Sequence, residues 1–255
     1  MEEKHVRWVN KGITFLFAGL FIYATIHLLL IGYDYWNNRQ VLQDAQELFD
    51  QRDRNAIDKQ SVSIEGQQEA FAPLQDLNSG IVGWIEIEGT SIDYPVLQAQ
   101  DNEYYLRRNY KEEQNRAGSI FMDYRVRDVA EDRHTILYGH EMRDGSMFSG
   151  LSAFTDQAFF DEQYVFLFDT PEKSYQVEVF SVYYTTTDFY YIETEFNDQA
   201  HYSSFIDDIQ GRSMFESAVE VNENDQIMTL STCDASQAGK KGRFVVHGKL
   251  IEQTG

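Results

Sequence analysis

The chain carries a single cysteine, Cys233, which closes the run Thr229-Leu230-Ser231-Thr232-Cys233-Asp234. A lone thiol forms no internal disulfide, so the usual structural use of cysteine in an exported protein is closed to it. The run before it, Gln226-Ile227-Met228-Thr229-Leu230, is apolar and β-branched, which places the sulfur at a strand end, where scaffolds display reactive groups. The same position also suits a small buried hydrophobe. Nucleophilic use of the thiol requires a thiolate, a proton partner and a group that stabilises an oxyanion.

The proton partner must come from six histidines, at positions 5, 27, 134, 140, 201 and 247. His5 precedes a long apolar segment and His27 lies inside it, so neither is placed to reach an exported site. His140 follows the short strand-like run Thr135-Ile136-Leu137-Tyr138-Gly139, which sets an imidazole in a loop at a strand end, as with Cys233. His134, at the other end of that run, and His201, in a helical segment, are expected at the surface. Arg243 and His247 stand four apart on one strand and project to the same face, so either is a candidate neighbour of the thiol. A guanidinium at Arg243 could donate to a carbonyl oxygen as it turns negative. Asp234 disfavours a thiolate beside it, and an imidazolium or Arg243 must offset that.

These groups need positioning elements. The chain has 255 residues, with 42% hydrophobic and 15% aromatic residues, enough for a folded core. Its formal charge is −21, which repels phosphate backbones and argues against a nucleic-acid partner. Ile13–Tyr33 contains no Asp, Glu, Lys or Arg and meets the roughly 20 apolar residues a helix needs to cross a membrane. Lys4, Arg7 and Lys11 precede it, and by the positive-inside rule residues 1–12 form a cytoplasmic tail and the remainder lies outside. Trp8, Tyr33, Tyr35 and Trp36 suit the interfaces. No small-x-small cleavage site stands between Ile31 and Gln40, so a retained anchor is expected rather than a signal peptide.

Beyond the anchor, Val41, Leu42, Ala45, Leu48 and Phe49 repeat at helical spacing, within a helical stalk over 34–72. Arg52–Gln68 is polar and reads as a loop or second helix. After Pro73 come short strand-like runs over 81–87, 91–97, 119–123, 135–138, 164–169, 174–186, 225–233 and 242–251, mostly bounded by Gly, Asn, Asp or Pro. Residues 146–160 and about 196–215 read as helical insertions. The pattern suggests a barrel or a sandwich.

Leu137-Tyr138-Gly139-His140-Glu141-Met142, Thr229-Leu230-Ser231-Thr232-Cys233 and Gly242-Arg243, taken together and in this order behind one apolar span, resemble the class B sortases. Asp101–Leu106 and Gly118–Arg125 extend the likeness over nearly the whole segment beyond the anchor. The resemblance implies a mainly β fold, a closed barrel of about eight strands with N-terminal helices and a long helical insertion before the cysteine strand, occupying 73–255. It implies a cysteine transpeptidase with His140, Cys233 and Arg243 as its catalytic triad. Asn102, Leu106, Thr187, Tyr191, Ile192 and Ser231 match the groove for a C-terminal sorting peptide of secreted proteins. The acceptor would be a cell-wall or peptidoglycan amine, with no metal and no cofactor. Pilus polymerisation onto a lysine is the alternative within the family, and an anchored binding module with an incidental thiol the alternative outside it. A peptidoglycan L,D-transpeptidase lacks support because its Ser-x-Gly-Cys signature is missing; a papain-like peptidase would place its Cys before its His.

Overall fold

The computed structural model describes residues 2–50, 64–162, 165–233 and 242–253. The chain divides into two compact units, Met1–Gln40 and Val41–Gly255. Helix α1 (Glu2–Asp50) begins in the first unit and carries the apolar segment, with Phe15, Phe21 and Leu28 exposed. It is long and apolar enough to cross a membrane.

In the second unit, eight strands close into a barrel in the order β1-β2-β3-β4-β7-β8-β6-β5. They are β1 (Ile81–Glu86), β2 (Asp93–Leu97), β3 (Ile120–Met122), β4 (His134–Gly139), β5 (Val165–Asp169), β6 (Ser174–Thr186), β7 (Gln226–Cys233) and β8 (Gly242–Glu252). Closure removes exposed strand edges. β4 and β7 pair in parallel; such strands are buried on both faces, and this is why Thr135–Leu137 and Ile227–Leu230 are almost continuously apolar or small. The barrel interior is filled by Ile85, Val96, Leu137, Leu230 and Val246 among others, each large aliphatic side chain contributing about 1.5–3 kcal/mol on burial.

Two further clusters coat the barrel. The C-terminal part of α1 (Val41, Ala45) and helix α2 (Ile64–Leu77) pack Phe71 and Leu74 against Trp84 and Phe121, and Phe49 stacks on Trp84 with centroids 4.1 Å apart. The stripe expected at 41–49 is this face. Helix α4 (Gln199–Gln210) begins with the Asp198 carboxylate accepting from the His201 N–H. Its Tyr202, Phe205, Ile206 and Ile209, at i, i+3, i+4 and i+7, bury against Phe180, Ile227 and Val245. The insertion expected at 146–160 is a 3₁₀ segment, Phe148–Thr155, followed by α3 (Gln157–Glu162).

Two expectations shift. The 196–215 helix is shorter, and Phe215 lies beyond its end. Pro73 falls inside α2 instead of opening the strand region; burial of Ala70, Phe71 and Leu74 outweighs the helix-breaking cost of one proline. The polar connection expected at Arg52–Gln68 lies outside the described residues over 51–63, as do Asp234 and the Gly- and Lys-bearing turn up to residue 241.

Candidate active site

The strand register brings the three candidate chemical residues together at one barrel mouth. Gly139 pairs with Thr232 across β4 and β7, and the next residues on the two chains are His140 and Cys233. Cys233 itself is opposite Arg243 across β7 and β8. Neighbouring strands lie roughly 4.8 Å apart, so three adjacent strand ends deliver a histidine, a cysteine and an arginine to one spot.

His140 is oriented by a single carbonyl. Its Nε2 is 2.8 Å from the Leu106 oxygen; a carbonyl only accepts, so Nε2 carries the proton and donates, leaving Nδ1 for exchange. The carbonyl is presented by a short 3₁₀ turn, Tyr104–Arg107. Gly118, at φ +60°, lies against it: a Cβ there would stand 2.6 Å from the Leu106 oxygen. Gly139 is equally constrained, since a Cβ would run into Ile120 and Phe148. Arg243 is half-buried, and its Nη1 donates to the Gly242 carbonyl at 2.8 Å.

A cavity of about 230 Å³ opens beside these residues. It is lined by Asn102, Leu106, Thr187, Tyr191, Ile192 and Ser231, the six groove candidates, together with His140 and Arg243. Tyr138, Phe121, Phe189, Tyr190 and Thr232 complete it and were not singled out in the sequence. Tyr138 and Thr232 stand inside the two runs that carry His140 and Cys233, and Phe121 inside Gly118–Arg125, without a role of their own; Phe189 and Tyr190 lie in a run with no chemical signature. The Tyr191 and Ser231 hydroxyls are 2.8 Å apart. The buried Thr232 hydroxyl has no hydrogen-bond partner among the described residues. A larger hollow of about 460 Å³ lies at the opposite mouth, lined by residues such as Arg127, Thr170 and Lys173. It contains none of the candidate groups, so volume alone does not locate the chemistry.

Asp123 is fully buried beside the cavity. Burial alone would raise its carboxyl; two bonds from the Arg125 guanidinium, with donors from Tyr138 and Asn102, outweigh that and hold it below the ordinary value. Burial, and then the negative Asp123, push the Tyr138 hydroxyl far up, so it stays a donor at 2.8 Å.

Two histidines are not where the sequence suggested. His134 is 1% exposed, not a surface residue. His247 is fully buried and opposite Thr229 on β7, four positions down the strand from the mouth, so Arg243 alone of that pair stands beside Cys233. His201 is exposed, as expected. Between them runs a polar chain: Glu193 O to His134 Nδ1 at 2.6 Å, His134 Nε2 to Thr229 Oγ1 at 2.6 Å, Thr229 Oγ1 to His247 Nδ1 at 2.6 Å, and His247 Nε2 to the Tyr183 hydroxyl at 2.8 Å. Burial lowers the pKa of both rings, His134 to about 4, and keeps them neutral. Because Glu193 O can only accept, the direction of every bond follows. Tyr183 donates to His247, His247 Nδ1–H to Thr229, Thr229 to His134, and His134 Nδ1–H to Glu193. Each buried polar atom is satisfied, which explains how two imidazoles sit in the barrel wall.

Residues 85–251 match the Sortase domain family. The chain belongs to the sortase family. Sortase B of Listeria monocytogenes is 40% identical over 245 residues, covering 96% of this chain and 97% of that protein. Among solved structures, a Bacillus anthracis protein described as similar to sortase B is 47% identical, with a TM-score of 0.75 over 86% of this chain and 98% of that one. A Staphylococcus aureus sortase B–substrate complex gives 36% identity and a TM-score of 0.78 over 86% and 98%. The sortase is therefore of the class B type and a cysteine transpeptidase, with the closed eight-stranded barrel that the resemblance implied.

Proposed function

We infer that this sortase cuts a sorting motif near the C-terminus of secreted proteins and joins the new carboxyl end to a cell-wall amine. The observation that carries this reading is the register: Gly139 opposite Thr232 and Cys233 opposite Arg243, beside a cavity lined by all six groove candidates.

In this scheme the Cys233 thiolate attacks the scissile carbonyl carbon, forming a C–S bond and an oxyanion. Arg243 and nearby backbone N–H groups stabilise the oxyanion. As the C–N bond breaks, His140 Nδ1–H gives its proton to the leaving amine, while Nε2–H stays tied to Leu106 O. The acceptor amine then attacks the thioacyl carbon, His140 takes its proton, and thiolate leaves. Asn102, Leu106, Thr187, Tyr191, Ile192 and Ser231 hold the peptide. The unpaired Thr232 hydroxyl supports a polar, hydrogen-bonding ligand.

Residues 13–33 anchor the enzyme, with 1–12 in the cytoplasm, a helical stalk over 34–72 and the catalytic domain of 73–255 outside. The lysines and arginine at 4, 7 and 11 support that orientation. The anchor keeps the thiol where secreted substrates emerge and wall precursors are presented. Wall attachment is favoured over pilus polymerisation because the sequence offers no lid segment of the pilus-assembling kind.

The reading is tested by turnover of a peptide library. The wild-type enzyme should cleave a defined motif and transfer it to added amine; Cys233→Ala and His140→Ala should each abolish this. Retained turnover in either variant would defeat the residue assignment, and cleavage of no peptide would defeat the substrate class.

A further inference from the structure

One wall of the cavity is the connection between β6 and α4, residues 187–198, which supplies Thr187, Phe189, Tyr190, Tyr191 and Ile192. It belongs to no strand. Its local backbone bonds join Phe189 N–H to Thr186 O and Tyr191 N–H to Phe189 O, and neither reaches another strand of the barrel. Backbone groups outside ladders must be satisfied by side chains or water; here Arg125 takes the Ile192 carbonyl and His134 the Glu193 carbonyl, and the Tyr191 hydroxyl meets that of Ser231.

Arg125 is central. Its Nη1 donates to the Tyr190 hydroxyl at 3.0 Å and its Nη2 to the Ile192 carbonyl at 3.0 Å. The same guanidinium is gripped by Asp123 through Nε–Oδ1 and Nη2–Oδ2, both 2.8 Å. Asp123 Oδ2 also accepts from Tyr138 at 2.8 Å and from the Asn102 amide at 3.0 Å. Tyr138 and Asn102 line the cavity from the other side of this link. One carboxylate–guanidinium pair thus bonds at one end to Tyr138 and Asn102 and at the other to Tyr190 and Ile192.

We propose that Asp123 and Arg125 form a cross-link that sets the width of the peptide groove, with Arg125 a positioning residue that holds the 187–198 wall in register with Asn102 and Tyr138. This deepens the sorting-peptide reading and rests on it for the identity of the ligand. The planar fork is essential to the role. A lysine keeps the charge and one contact to Asp123 but cannot bond Asp123, Tyr190 and Ile192 together. A fixed groove lowers the entropy lost on binding, so the effect belongs in KM more than in kcat.

The test compares wild type, Arg125→Lys and Tyr190→Phe. Tyr190→Phe removes one half-exposed hydroxyl and imposes no folding burden. Hydrogen exchange without any peptide should show 187–198 exchanging about tenfold faster in Arg125→Lys and about threefold faster in Tyr190→Phe, with β7 and β8 as in wild type. For a peptide selected from the library, KM should rise about tenfold in Arg125→Lys with kcat within twofold. The rate of Cys233 modification by a small methanethiosulfonate reagent should stay unchanged. Wild-type exchange over 187–198 in both variants overturns the cross-link, as does a loss confined to kcat. Because exchange needs no substrate, a chain that cleaves no library peptide defeats the sorting-peptide reading while the exchange data still decide the cross-link.

Discussion

The Leu106 carbonyl accepts a 2.8 Å hydrogen bond from His140 Nε2, and the same residue lines the cavity. One residue of a 3₁₀ turn therefore lines the cavity and fixes which imidazole nitrogen of His140 carries the proton. Any shift of that turn should be felt in catalysis before it is felt in the fold.

Gly118→Ala tests this. The new Cβ would press on the Leu106 and Tyr105 oxygens at a φ of +60°. A displacement approaching 1 Å at a catalytic group costs on the order of 100-fold, and the left-handed backbone adds about 1–2 kcal/mol of destabilisation. The control is Gly145→Ala, also at positive φ but with open space around the Cβ. It should lose only the about 1–2 kcal/mol of the left-handed backbone in a thermal melt and keep its peptide turnover.

Arg243→Lys and Arg243→Ala should both fold, since the side chain is half-buried and lines an open cavity. If the guanidinium stabilises the oxyanion, kcat falls about 100- to 1000-fold in the alanine variant. Lysine should recover only part of this, because it lacks the fork. Steady-state kinetics at saturating peptide check it.

The Tyr191–Ser231 pair is suited to a double-mutant cycle. The hydroxyls are 2.8 Å apart and buried, so Tyr191→Phe and Ser231→Ala should each cost about 1 kcal/mol. The double variant should cost less than their sum, with a coupling of about 0.5–1 kcal/mol by denaturant unfolding. Strict additivity would mean that the contact carries no energy.

Stability should fall between pH 7 and pH 5. His134 titrates near 6.5 when unfolded and is held at about 4 in the fold, so the unfolded chain takes up a proton that the native one refuses. The contribution is complete above about pH 6.5 and drains away as pH falls toward 4; His134 alone accounts for about 2 kcal/mol between pH 7 and 5. His247, lowered by burial and by His134, adds loss of the same sign. Urea unfolding at the two pH values checks this, and His134→Gln should flatten the slope while lowering stability at pH 7. A near-neutral His134 variant would contradict the buried chain.

Much of this fold was legible because its strands are short runs of β-branched and aromatic residues between turn formers; β6 spans the expected 174–186. The triad candidates were legible because each ends or begins such a run. His134 was not. Its strand runs one residue further than its apolar pattern, and its burial depends on Thr229 and Glu193, partners 95 and 59 residues away that no local pattern announces. The extent of α2 past residue 72 was hidden by Pro73, and the Asp123–Arg125 link by the ordinariness of a charged pair two residues apart. Charge spacing in sequence does not reveal that one carboxylate also accepts from Tyr138 and Asn102.

Cys233 is expected to form the thioacyl bond. Mass spectrometry of the enzyme quenched during turnover of a library-selected peptide addresses it directly. The acyl fragment N-terminal to the cut should be carried on the proteolytic fragment containing Cys233, added amine should discharge it, and Cys233→Ala should neither form the adduct nor turn over. An adduct on another residue, or turnover by Cys233→Ala, would contradict it.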